Sequence, residues 1–256
     1  MSFKPKPKDE VRLSPSEKKD TVSLAQPIHL LEPENSARIR PTPQFVENEK
    51  VQVQMDSLNK NPQIERIFQM LWDKDPDTYK HCHRVADMSQ AIGMALGMNS
   101  IERSEIYLCG LLHDVGKLFT PDSVLKKPGP LTQDEFHVMK LHPVDSGKLV
   151  ATLKDVGYLA APIRGHHERI DGKGYPDCLV SQSIPLYSRI VLVADTFDAM
   201  TNNRVYRKQL DLARTYEELY RCSGTQFDPE VAKKFVEFHE KFTQHGFDYF
   251  KIKKVA

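Results

Sequence analysis

The chain has 256 residues, 39% hydrophobic and 28% charged, with a formal net charge of +1, so nothing global favours a nucleic-acid polymer or an anionic membrane as partner. No apolar run approaches the ~20 residues needed for membrane insertion, and the opening Met1–Lys8 lacks the apolar core of a secretion signal. Cys82, Cys109, Cys178 and Cys222 are widely spaced without a CxxC pair, which predicts reduced thiols in a cytoplasmic protein rather than disulfides or a zinc knuckle.

Residues 1–60 stand apart. They hold seven of the 17 prolines and none of the glycines, and mix charges of both signs without helical period. Short apolar pieces at Val22–Leu24, Ile28–Leu31, Phe45–Val46 and Val51–Val53 predict an irregular, partly β extension. It reads equally as a small regulatory segment, able to contact a protein partner or a second copy, and as a linker. His29 reads as a surface residue.

Residues 61–256 form the main domain. Ile64, Ile67, Phe68, Leu71 and Trp72 recur at helical spacing. Asp73–Asp77 interrupts, and a second helix carries His81, Val85, Met88, Ile92 and Leu96. A third runs from Glu102 to about Val115, ending near Gly116. Thr132 and Glu135 predict a capping box for a fourth, which the spacing extends to His142–Pro143. Asp145–Leu153 reads as a fifth. Ala160–His167 leads into a glycine-rich loop, Glu168–Pro176. Ile184–Met200 is a strongly apolar helix with Pro185 in its first turn, and Asp228–Pro229 opens a last helix to about Phe242. Strand patterns are absent after residue 60. The predicted fold is all-α, a bundle of about seven or eight helices.

Within this apolar framework sit His and Asp residues that a solvated surface does not explain. His113 and Asp114 stand side by side in the run Ile106–Val115. Burying a carboxylate is costly unless a cation compensates. Asp77 and His81 are four apart, on one helical face. Asp195 and Asp198 lie on the most apolar helix. His166 and His167 are adjacent; on a helix their side chains diverge by ~100°, which suits two ions better than one. His142 alone reads as a histidine at a helix C-terminus, meeting the dipole there. Mixed imidazole and carboxylate donors suit Fe, Mn, Co, Ni or Zn and suit Ca²⁺ or Mg²⁺ poorly. His83 and His137 face elsewhere and read as non-ligands, His239 and His245 as surface groups, and Arg189 as a structural ion-pair partner.

The order of these motifs over about residues 75–240 resembles the HD-GYP domain, a subgroup of the HD metal-dependent phosphohydrolases. The matching stretches are Asp77–Ala86, His113–Lys117, Leu141–Pro143, His166–Pro176, Val193–Thr201, Arg204–Lys208 and Gly224–Pro229. The resemblance implies a helical (HD-domain type) fold and a centre of two or three divalent ions, iron or manganese. It implies cyclic di-GMP as substrate, hydrolysed to pGpG and GMP by a hydroxide between the ions. Carried over by motif position, the metal ligands are His81, His113, Asp114, His142, His166, His167 and Asp195, with Asp114 as the bridge. Asp77 stands where trinuclear members carry an acidic residue, often Glu. Lys117 would offset charge on the reacting phosphate, Asp198 would orient a ligand or the water, and Arg204, Arg207 and Tyr175 would hold phosphates or guanine. Three departures stand out: Cys82 for a small residue, Phe197 for Tyr, and Asp177-Cys178-Leu179 where a glycine is common. The last predicts an altered loop. Three functions compete: an active cyclic di-GMP phosphodiesterase, a degenerate member that binds cyclic dinucleotide or a protein without turnover, and a hydrolase of another nucleotide.

Overall fold

Ten α-helices make up the regular structure of the described residues, and two of the ten are single turns. The structure is a computed structural model that describes residues 61–202 and 209–244. The N-terminal extension, Arg204, Arg207 and His245 lie outside the described residues. The helices are α1 (Pro62–Lys74), α2 (Pro76–Ala95), α3 (Ser100–Leu112), α4 (Asp122–Leu125), α5 (Gln133–Met139), α6 (His142–Ala151), α7 (Ala160–Arg164), α8 (Leu186–Thr201), α9 (Leu212–Arg221) and α10 (Pro229–Gln244). A 3₁₀ segment, Val115–Phe119, follows α3. Only isolated bridges stand in place of strands among the described residues. The all-α prediction holds, and eight of the helices exceed one and a half turns.

Helix starts follow local chemistry. Asn61 accepts from the Gln63 amide ahead of Pro62. Asp75 accepts from the Asp77 amide and the Thr78 hydroxyl ahead of Pro76, so the predicted interruption is a cap and α2 begins at once. Asn99 with Glu102, and Thr132 with Glu135, form capping boxes. Asp228 accepts from the Glu230 and Val231 amides.

The long helix α2 is central and packs against α1, α3, α8 and α10. Val85, Ala86 and Ile92 of α2, Ile106, Leu108 and Leu112 of α3, and Ile190 and Val193 of α8 are fully buried. Each large aliphatic among them contributes about 1.5–3 kcal/mol by leaving water.

Three helical boundaries differ from prediction. The third helix stops at Leu112, so His113 is its cap and Asp114–Gly116 turn into the 3₁₀ segment. The fourth stops at Met139, and His142 is the first residue of α6 rather than the end of α5. α7 stops at Arg164, leaving His166 and His167 in a turn, not on a helix. α9 has no counterpart in the predicted elements.

Candidate metal centre

Three helix ends converge on one point. The last carbonyls of a helix have no partner within it, and here they take ring N–H groups. His113 Nδ1 donates to the Gly110 carbonyl, His142 Nδ1 to Met139 and His166 Nδ1 to Ile163, each at 2.7 Å and each three residues back. That fixes the tautomer of the neutral ring: the proton is on Nδ1 and Nε2 carries a lone pair. With the rings neutral, the Nε2 atoms meet acceptors they cannot bond. His142 Nε2 faces His166 Nε2 at 3.3 Å. His142 Nε2 also faces Asp114 Oδ1 at 3.1 Å, and His113 Nε2 faces Asp114 Oδ2 at 3.3 Å. His113 Nε2 and Asp114 Oδ1 are buried without a hydrogen-bond partner. Lone pair against lone pair in a buried place is costly without a cation between them, so these residues fit a bound metal.

The donors form two groups, His81–His113–Asp114 and His142–His166–His167, with ligand atoms within 4.8 Å of one another in each. Asp114 turns Oδ1 to the second group and Oδ2 to the first, the disposition of a bridge. Asp195 Oδ1 lies 3.1 Å from His81 Nε2. His166 and His167 have ring centroids 4.2 Å apart and share one group, contrary to the helical expectation that they diverge toward two ions. Their turn, not a helix, is the reason. Asp77 is exposed in the first turn of α2 and lies outside both groups.

Without an ion the site is strongly polarised. Burial opposes the His81 imidazolium, but Asp195 and Asp198 outweigh it and push the group up to about 9. Burial pushes His167 down to about 3, helped by His142, and pushes His166 down as well. Burial opposes the Asp114 carboxylate, yet Lys117, with His113 and His142 in their protonated form, holds it well below the usual carboxylate range.

Around the donors, Asp198 Oδ2 stands 2.7 Å from His81 Nδ1. Arg84 grips both Asp198 oxygens, at 2.6 and 2.9 Å, and Asn202 adds a bond at 2.9 Å. Arg84 was not singled out from the sequence, although it follows His81 by three on the same face. Lys117 Nζ is committed to Asp114 Oδ2 at 2.6 Å. Tyr175 lies against His167, with ring centroids 4.8 Å apart at 30°.

Two glycines set the spacing. A Cβ on Gly116 would stand 2.2 Å from the His142 carbonyl oxygen. One on Gly174 would stand 2.3 Å from the Arg169 amide nitrogen and 2.6 Å from the His167 carbonyl oxygen. The loop after Tyr175 is tied back by the buried Glu168, which accepts from the Asp177 and Leu179 amides. Cys178 adopts φ 53°, the left-handed conformation a glycine takes freely.

The residues read as non-ligands lie outside both donor groups: His83 packs against Phe68 and Tyr79, and His137 bonds the Gln133 carbonyl. Arg189 pairs with Asp228 as expected. His239 is no surface group: it is half-buried against Phe197 and Phe235 and sits 2.6 Å from the Tyr216 hydroxyl.

Helix ends gathered around a buried histidine and aspartate cradle define a helical protein with a candidate metal centre. The chain belongs to the HD domain family, whose model matches residues 65–231. It is similar to a cyclic di-GMP phosphodiesterase of Thermotoga maritima, 36% identical over 71% of this chain and 50% of that one. It is likewise similar to a 3′3′-cGAMP-specific phosphodiesterase of Vibrio cholerae, 38% identical over 67% of this chain and 40% of that one. The chain thus spans half or less of the length of these curated relatives. Among solved structures, a cyclic GMP-AMP specific phosphodiesterase of V. cholerae superposes with a TM-score of 0.52 at 20% identity, over 70% of this chain and 47% of that one, which bears on the fold alone. The HD-GYP resemblance of the motifs stands with these relatives. Among the described residues no helix is long and apolar enough to cross a membrane.

Proposed function

We propose that this chain is a metal-dependent phosphodiesterase that hydrolyses cyclic di-GMP to pGpG, GMP or both. The observation that carries the reading is the facing pair of unprotonated nitrogens, His142 Nε2 and His166 Nε2, 3.3 Å apart. A metal ion or a shared proton reconciles them, and the cluster of imidazole and carboxylate donors around the pair favours the metal. His81, His113, His142, His166, His167, Asp114 and Asp195 would hold two Fe or Mn ions, with Asp114 shared, and Asp77 is the residue left for a third. Such ions supply Lewis acidity that activates water near neutral pH and polarises a phosphodiester oxygen.

The chain's own residues do the remaining work. Asp198, gripped by Arg84, fixes the His81 ring through Nδ1 so that Nε2 stays aimed at the cradle. Lys117 balances the charge of Asp114 and adds a cation beside any phosphate placed there. Tyr175, laid on His167, offers an aromatic face to a purine. Arg204 and Arg207 keep their motif-based role as phosphate or guanine clamps.

A second substrate reading is favoured by one observation, the 38% identity to a relative specific for 3′3′-cGAMP. The test is elemental analysis of anaerobically purified protein, with cyclic di-GMP and 3′3′-cGAMP turnover on the same sample. Two or three Fe or Mn per chain with cyclic di-GMP hydrolysis supports the reading. Preference for the mixed dinucleotide moves the substrate, and metal without turnover but with tight nucleotide binding makes the chain a sensor. No metal after reconstitution overturns the ligand set.

A further inference from the structure

We propose that Lys140 holds the second, non-scissile phosphodiester of a cyclic dinucleotide and so selects ring dinucleotides over simple diesters. The proposal rests on the phosphodiesterase reading above. Lys140 caps α5 two residues before His142. Its ammonium stands 4.7 Å from the ring centroid of Phe136 and 5.2 Å from that of Tyr175. Tyr175 lies on His167, and His167 belongs to the His142–His166 group. The cation is therefore two ring contacts from the cradle.

Several other lysines of the domain are already engaged: Lys117 with Asp114, Lys127 with Glu135, while Lys74 and Lys126 share Asp122. Among the described residues no carboxylate pairs with Lys140. Two aromatic faces fix the position of an ammonium through their quadrupoles but leave its N–H donors unspent. Half-buried and without a counter-ion, such a group gains most from an anion that a ligand delivers. A cyclic dinucleotide carries two phosphodiesters. If one enters the cradle, the other must be met by a cation outside it, and Lys140 stands at that rim. Exposed Phe136 beside it presents a ring on which a purine can stack. A simple diester has neither the second phosphate nor the purines.

The experiment uses the full chain loaded with Mn²⁺, as wild type, Lys140→Met and Lys140→Arg. Calorimetry measures binding of a bis-phosphorothioate analogue of cyclic di-GMP. In parallel, kcat/KM is measured for cyclic di-GMP and for bis(p-nitrophenyl) phosphate. Loss of one charge-assisted bond predicts analogue binding weaker by about 10- to 100-fold in Lys140→Met, with Lys140→Arg within about threefold of wild type. The ratio of the two kcat/KM values should fall by the same factor. Analogue binding by Lys140→Met within about twofold of wild type overturns the proposal. So does an equal fall in both kcat/KM values, which would mean that Lys140 acts on the cradle itself. A wild type that cleaves bis(p-nitrophenyl) phosphate but neither binds nor cleaves cyclic di-GMP overturns the substrate reading, and the role of Lys140 falls with it.

Discussion

Gly116→Ala should push the two halves of the cradle apart. The added methyl carbon would stand 2.2 Å from the His142 carbonyl oxygen, 2.4 Å from the Ser146 amide nitrogen and 2.8 Å from the Ser146 hydroxyl. The two closest atoms are backbone at the start of α6, so no rotamer change relieves the clash. Comfortable non-bonded separation is about 3.5 Å, so the turn after Asp114 and the start of α6 must part by about 1 Å. The buried bond from the Gly116 amide to Ser146 Oγ, 2.8 Å long, is stretched in the process. Overpacking costs about 1–3 kcal/mol and the bond about 1 kcal/mol more. For a domain of this size that lowers Tm by about 5–15 °C. The same movement pulls Asp114 from His142, now 3.1 Å apart, and a ~1 Å misplacement costs on the order of 100-fold in rate. Ser146→Ala is the comparison: it removes the bond but leaves the spacing, and should lose only about 1 kcal/mol. Thermal melts, manganese per chain after gel filtration and turnover are read on both variants. If Gly116→Ala melts within about 2 °C of wild type and keeps its full metal content, the spacing argument is wrong.

Three further outcomes follow from the same geometry. Asp198→Asn removes the carboxylate that both His81 Nδ1 and the Arg84 fork require, and metal affinity measured by chelator competition should fall about 10- to 100-fold; unchanged affinity would show that His81 needs no such support. Cys178→Gly relieves a left-handed cysteine and should raise stability by about 1 kcal/mol, offset in part by the freer unfolded chain; a lower Tm would mean that the contact of Cys178 with the Gly174 carbonyl matters more. The metal-free protein should be most stable near pH 6.5. His81, raised to about 9, contributes stability below the unfolded histidine value that is lost as pH climbs through 9. His167, lowered to about 3, contributes stability above the unfolded histidine value that is lost as pH falls from 6.5 toward 3. Melts of the chelated protein across pH 4–10 check this, and a flat profile contradicts it.

Much of this arrangement is legible in the residues. Caps announce themselves: Thr132 with Glu135, and Asp228 before Pro229, start helices where the pattern puts them. The misplaced helix boundaries share a cause, which is that periodicity does not register a break of two residues. Lys140 and Leu141 continue the α5 pattern, so His142 reads as a helix end, yet the chain turns there and His142 opens α6. α9 is missing from the expected elements although Leu212, Tyr216, Leu219 and Tyr220 recur at helical spacing. Its cap, Asp211, accepting from the Arg214 amide, is a second signal. His239 sits four residues after the buried Phe235 on one helical face, a spacing that argues against a surface role. The departure at Cys178 leaves the loop with a left-handed residue all the same, because Glu168 and the Gly174 approach hold the backbone there.

The cradle is built by helix termination more than by the helices themselves. His113, His142 and His166 each return Nδ1 to a carbonyl three residues earlier, in the last turn of α3, α5 and α7. Those carbonyls carry the negative end of the helix dipole, so they both orient the rings and make Nε2 more basic. A histidine placed one residue later would miss the free carbonyl and present the wrong tautomer. The spacing from helix end to histidine is therefore under a constraint as tight as the choice of histidine, and hydrophobic periodicity carries no trace of it. It also explains how six donors from two groups can converge within 4.8 Å in each group with the charges unbalanced. The helix ends hold the rings in place through backbone bonds, so an ion bound there would supply charge rather than shape.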